Sequence, residues 1–321
     1  MTFSQKCVGN VQNKPTIFLV DEFLEGKGKL TEYPSEAIQS FNTAFKKNMD
    51  LLISGPNQSL FKIENKPNLA QVPTFLGSGD VVLGFVHLPP YSIEDDELTV
   101  PPVSLINRVM DKVFDRFQTK IDSQLKAVGN EKTSVPKLRQ PSPSDGKVGL
   151  SSFIHQAQTV KTKKDKDQKV FYSIRIGIVD VGFAGGDAVA VWPEEKIRRK
   201  VLKLLSQVKN PDVGFGPQAV AFVRQNLNSQ DIKEIGRLKD YLQAVGRELA
   251  YDLLHEFWHA AELTGEHPYE GGNIHIEGTP SGTKPDLVFQ PKAIQNILAS
   301  YEKTWCKDIE EGRISVGDLK V

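Results

Sequence analysis

The sequence predicts a mixed α/β (α+β) fold, with short strands and amphipathic helices sharing one core. Three observations predict it. Short apolar runs rich in β-branched residues at 16–20, 80–88 and 171–183 read as strands. Stretches with apolar residues three and four apart, opening at Pro34, Pro102, Pro193 and near 232, read as helices. The order strand, helix, strand, strand recurs before the long helix, so both element types share one sheet-and-helix core.

The elements follow in order. Residues 16–20 (TIFLV), after Lys14-Pro15, form a buried strand. A Gly/Lys turn leads to a helix opened by Pro34 and Ser35, with Ile38, Phe41, Phe45 and Leu52 at helical spacing and Gly55-Pro56 as its stop. Residues 59–63 and 80–88 are strand candidates, the second ended by Pro89-Pro90. An acidic patch (Glu94, Asp95, Asp96, Glu97) precedes a helix from about 102 to 126, with Ile106, Val109, Val113, Phe117 and Ile121 along one side. Residues 129–168 hold Pro136, Pro141, Pro143 and the charge run at 161–169, and read as a solvated linker or insertion loop. A strong strand (171–183), a Gly185-Gly186-Asp187 turn and a second strand, AVAVW at 188–192, come next. Pro193 starts a helix through Ile197, Val201, Leu204 and Leu205, a shorter helix follows Pro217, a long one spans roughly 232–264, and a last one follows Pro291.

Composition narrows the function classes. Lys plus Arg equals Asp plus Glu, 40 each in 321 residues, so no net basic charge favours nucleic acid or a membrane surface. The first fifteen residues lack an apolar core, so no secretory signal is expected, and no apolar run approaches a membrane span. The chain therefore reads as cytoplasmic, or as exported without such a signal. Cys7 and Cys306, at opposite ends, read as two free thiols.

The chemistry concentrates on the long helix, in the pattern H-E-x-x-H at His255, Glu256 and His259. Residues four apart stack on one helix face, so both imidazoles reach one cation, and neutral imidazole suits Zn2+. Glu256 lies beside the first ligand, within reach of a water that the metal acidifies, as general base. Leu242, Val245, Leu249, Leu253 and Phe257 trace the apolar face, and the two histidines lie off it. Asp252, one turn earlier, is placed to hydrogen-bond a ligand ring. Trp258 reads as core or cleft wall, and His87 and His155 as satisfied structural histidines. A catalytic zinc keeps three protein ligands and one open position. Gly265 is the expected helix stop, and the turn it makes brings His267 back to the metal. Glu266, His275 and Glu277 are the alternatives for the third position. Asp286, in the loop Gly282-Thr283-Lys284-Pro285-Asp286, is a weaker candidate.

The stretch H-E-F-W-H-A-A-E-L-T-G-E-H resembles the zincin metallopeptidases, and within them the metzincins, whose pattern is H-E-x-x-H-x-x-G-x-x-H. Here His267 is eight residues after His259 instead of six, and Gly271-Gly272-Asn273-Ile274-His275 stands at the Met-turn position without a methionine. The resemblance implies a zincin fold, a small twisted mixed sheet with a backing helix and an active-site helix closing the cleft beneath it, with metal ligands at His255 and His259, Glu256 as base, and an edge strand at 188–192 that binds substrate backbone. The implied activity is zinc-dependent hydrolysis of a protein or peptide substrate, with Zn2+ as cofactor. A non-peptidase zinc amide hydrolase and a catalytically inactive zincin-like binding or structural protein are the alternatives. The expected organisation is one catalytic domain over 15–321 with an insertion at about 92–169. The other division is an N-terminal domain at 15–125 and a catalytic domain at 170–321.

Overall fold

The computed structural model describes residues 7, 14–23, 29–55, 58–88, 92–94, 97–99, 103–129, 149–161, 167–182, 199, 203, 216–226, 238–264 and 287–320. Its elements in chain order are β1 (Thr16–Val20), α1 (Ser35–Met49), β2 (Ile53–Gly55), β3 (Gln58–Ser59), β4 (Lys62–Lys66), β5 (Val81–Val86), β6 (Ser92–Glu94), β7 (Glu97–Thr99) and α2 (Val103–Ala127). They continue with β8 (Gly149–Lys161), β9 (Asp167–Asp180), α3 (Pro217–Asn226), α4 (Leu238–Glu262), α5 (Pro291–Tyr301), a π-helical turn (Glu302–Cys306), α6 (Lys307–Glu310) and β10 (Ile314–Ser315).

The fold is mixed α+β, built on a six-stranded sheet. β4, β1, β5 and β9 run parallel in that order, and β8 pairs antiparallel with β9 over its full length, from Gly149↔Val179 to Lys161↔Asp167. β10 adds a short parallel pairing to β9 at Ile314↔Val170. Both faces of the sheet are covered. Ile17, Leu19, Leu83, Phe85 and Val179 point into a core shared with α1, α4 and α5. Phe18, Val20, Val82, Ile174, Ile176 and Ile178 point into a second core shared with α2. Burial on both faces is why β1 and β5 read as unbroken apolar runs without polar alternation.

Several expectations change. The helix opened at Ser35 ends at Met49, because Ile53–Gly55 leaves it to pair with Gln58–Ser59. The stretch 129–168, read as a solvated linker, contains β8, a thirteen-residue strand integral to the sheet. The insertion expected at about 92–169 likewise contains α2, whose Ile106, Val109, Val113 and Phe117 build the second core. β8 has no second neighbour among the described residues; a substrate-binding edge strand was expected at 188–192. That strand lies outside the described residues, as does nearly all of the helix expected after Pro193. Cys7 and Cys306, read as free thiols, form a disulfide across 299 residues of sequence, both buried in the first core. Their separation along the chain hid a proximity that the fold creates. No helix among the described residues is long and apolar enough to cross a membrane.

α1 and α4 are in backbone contact. A Cβ on Gly246 would lie 2.0 Å from the Ala37 carbonyl oxygen, so only glycine fits there. Ser40 Oγ donates to the Gln243 carbonyl at 2.8 Å beside it. This contact clamps α4 between α1 and the sheet.

Candidate metal centre

α4 is buried on almost every side. Leu242, Val245, Leu249, Leu253 and Phe257 are 0–1% exposed, and so are Ala244, Ala250, Leu254, Ala260 and Ala261. A helix apolar all round belongs in a core. Polar side chains there are costly unless they are paired or used. The exceptions on α4 include Glu256 and His259, 6% and 5% exposed. Between 251 and 260 only Asp252 and His255 keep intermediate exposure, so the helix opens towards solvent on the side carrying His255.

The two histidines converge. Their Nε2 atoms are 3.2 Å apart and their ring centroids 4.8 Å, with the planes at 73°. That separation suits either one shared hydrogen bond or two ligands on one cation. Two imidazole nitrogens bound tetrahedrally to zinc at about 2.0–2.1 Å lie about 3.3 Å apart. The other nitrogen of His259 is committed: Nδ1 lies 2.8 Å from the Thr264 carbonyl, which can only accept, so Nδ1 carries the proton. Nε2 of the neutral ring therefore keeps its lone pair, aimed at the point where the rings meet. A ring nitrogen bonded to a backbone carbonyl is the usual support of a metal-binding histidine.

The helix terminus makes that carbonyl available. α4 stops at Glu262, and Leu263 takes the left-handed conformation, with φ 59; Gly265, the expected stop, lies outside the described residues. The Thr264 amide then donates to the His259 carbonyl at 3.2 Å, closing a six-residue terminal loop. The Thr264 carbonyl is carried round to His259 Nδ1 by the same turn. Sequence reasoning placed the stop two residues later because leucine pays a steric cost in this region that glycine does not.

Glu256 faces the sheet at the start of β8. A Cβ on Gly149 would lie 2.6 Å from Glu256 Oε1, and one on Gly177 would lie 2.9 Å from Glu256 Cβ. Both positions must stay bare for the carboxylate to sit where it does. Gly177 opposes Ser151, and Gly149 opposes Val179, so the two glycines lie on one face of the β8–β9 ladder.

Other predicted residues sort as follows. His267, Glu266, His275, Glu277 and Asp286 lie outside the described residues. Among the described residues no group of three or more His, Cys, Asp or Glu side chains is gathered for a metal ion. The chain resumes at Leu287, whose amide donates to the Tyr251 hydroxyl at 3.2 Å, while Asn48 accepts from the Phe289 amide at 2.8 Å. Trp258 is core, 2% exposed, and its Nε1 donates to Glu262 Oε1 at 2.6 Å. Burial lifts the Glu262 carboxyl to about 7, against the lowering pull of Trp258. His155 sits in a strand, not a loop, with Nε2 3.3 Å from Asp308 Oδ2. Burial first, then the charges of Arg175 and Arg313, hold it neutral with a pKa of about 3. Gly149, Gly177 and Thr264 escaped sequence reasoning: glycines and a threonine carbonyl carry no chemical signature of their own.

No protein-family model matches the chain, and no curated protein or solved structure matches it.

Proposed function

We propose that the chain is a zinc-dependent peptidase of the zincin type, with His255 and His259 as metal ligands, His267 as the third and Glu256 as general base. The observation that carries this reading is the 3.2 Å approach of the two Nε2 atoms, with His259 Nδ1 already committed to the Thr264 carbonyl. A donor pair of neutral imidazoles fits zinc by both chemistry and spacing. Zinc, when bound, supplies Lewis acidity towards water and towards the scissile carbonyl.

The residues of this chain do the rest. Glu256 takes the proton of the attacking water and passes it to the leaving nitrogen, so atoms and charge balance across hydrolysis. Its burial against Gly149 and Gly177 keeps the carboxylate in one position. β8 supports the peptide assignment: as an outermost strand among the described residues it offers backbone groups on one side, where an extended peptide can pair. The arrangement of β4, β1, β5, β9 and antiparallel β8 over α4, with α1 behind, supports the zincin-like fold reading. The buried Cys7–Cys306 pair supports a working compartment outside the reducing cytosol.

The test is Glu256→Gln assayed with the wild type on a peptide library. The proposal expects zinc retained, the fold retained and cleavage lost. Cleavage of a non-peptide amide but of no peptide moves the assignment to an amide hydrolase. Zinc in both proteins with no hydrolysis in either makes the site structural.

A further inference from the structure

We propose that Arg175, buried in the sheet, is a positioning residue for the metal ligand His259; this rests on the metal-centre reading above. Arg175 is 0% exposed and sits on β9 two residues before Gly177, on the face that meets α4. Its Nη1 donates to the Ala261 carbonyl at 2.9 Å, with the Ala260 carbonyl at 3.5 Å. Nη2 donates to Thr304 Oγ1 at 2.9 Å, and the guanidinium lies 4.8 Å from the Tyr301 ring centroid.

Each contact has a consequence for His259. Ala260 and Ala261 are the two residues directly after the ligand, in the last turn of α4. The terminal loop satisfies the His259 carbonyl, and the Ala261 carbonyl takes donors from other elements. Two arrive, Arg175 Nη1 from the sheet and Ser300 Oγ from α5 at 2.8 Å. This turn leads into Leu263 and Thr264, whose carbonyl holds His259 Nδ1. The chain of contact therefore runs from Arg175 through the last turn of α4 to the ligand ring. Along β9, residue 177 bears on Glu256 and residue 175 on the helix end, so one strand sets both the base and the ligand-bearing turn.

A purely structural need does not require a cation here. Burying a guanidinium costs several kcal/mol before its pairings repay it, and a helix C-terminus can be capped by its own turn and a hydroxyl. A planar fork differs from those in spanning two elements at a fixed angle. It locks the end of α4 against the π-helical turn, which is itself tied through Cys306 to Cys7.

The experiment substitutes Co2+ in the full-length protein and reads two quantities, visible ligand-field absorption and cobalt affinity by chelator competition. Arg175→Lys and Arg175→Met are compared with Thr304→Val, which removes only the Nη2 acceptor, and with Arg313→Met. Arg313 pairs with Asp308 and Glu311 in the same region, so it controls for lost stability. The expected result is an affinity loss of about tenfold or more in both Arg175 variants, the range typical of groups that orient metal ligands. The absorption band shifts, Thr304→Val shows a smaller loss in the same direction, and Arg313→Met keeps wild-type affinity and spectrum. Arg175→Lys and Thr304→Val carry the decision if Arg175→Met does not fold. Wild-type affinity and spectrum in both overturns the proposal, and so does an equal loss in Arg313→Met. A wild type that takes up no cobalt is a different failure: it removes the metal centre, and the positioning role with it.

Discussion

His259 Nδ1 donates to the carbonyl of Thr264, 2.8 Å away, across a helix end made by Leu263 in the left-handed conformation. The His259 ring is thus oriented by backbone four and five residues further on. Its Nε2 is turned towards His255 Nε2, 3.2 Å away, as a consequence of how the helix stops.

Substitutions at Leu263 test that link. Leu263→Gly removes about 1 kcal/mol of left-handed strain and loses a half-buried side chain, so stability stays near wild type and zinc affinity is kept. Leu263→Val puts a β-branched residue at φ 59 and should lower zinc affinity several-fold while costing about 1–2 kcal/mol. Chelator competition and thermal melting measure both. A valine variant with undiminished zinc affinity would show that the turn does not hold the ring.

Gly149→Ala tests the seat of the base. The new Cβ would fall 2.6 Å from Glu256 Oε1, so the carboxylate has to move. A displacement of about 1 Å at a reacting group costs on the order of 100-fold in turnover. The prediction is that kcat falls by that order while zinc content and KM change little. Unchanged kcat would place the working position of Glu256 elsewhere.

His267→Ala should weaken zinc binding by a large factor, and Glu266→Ala should not. Alanine variants of His275, Glu277 and Asp286 complete the series. The pattern of zinc affinities across these five decides the third ligand, and a loss confined to a carboxylate variant would replace the three-histidine set.

His155 gives a pH signature separate from the metal. Its folded pKa is about 3, against 6.5 for an unperturbed histidine, because burial and the charges of Arg175 and Arg313 oppose protonation. Above pH 6.5 the ring is neutral in both states and adds no pH dependence. Below it the unfolded chain takes up a proton that the folded chain refuses, so stability falls progressively as pH drops towards 3. At pH 5 the loss is about 2 kcal/mol. His155→Gln should flatten the fall in Tm between pH 7.5 and pH 5 by a few degrees. An identical slope in the two proteins would mean that His155 is protonated in the fold.

Much of this was legible in the sequence, and particular residues show where legibility stopped. A strand within 80–88 and a helix following Pro291 were expected and are found at Val81–Val86 and Pro291–Tyr301, because apolar runs and a proline at a helix start are local signals. The same holds for α4 and the convergence of His255 on His259, since i, i+4 spacing acts within one turn. β8 was hidden: Ser151, Ser152, Gln156 and Gln158 make it polar, and it follows a Pro- and Ser-rich stretch. Its place comes from pairing with β9, a tertiary fact. The Cys7–Cys306 bond, Arg175 on the end of α4 and Gly149 under Glu256 are likewise contacts between distant parts of the chain. Leu263 ran against local propensity, because the chain bends there despite the residue and not on account of it.

The most direct test of the central claim is the metal content of the purified chain, measured by elemental analysis without chelator and again after adding zinc and desalting. His255→Ala and His259→Ala are measured alongside. The account predicts about one zinc per wild-type chain, consistent with a single H-E-x-x-H helix, and a large loss in each variant. No transition metal in the wild type, before or after zinc is supplied, would contradict it.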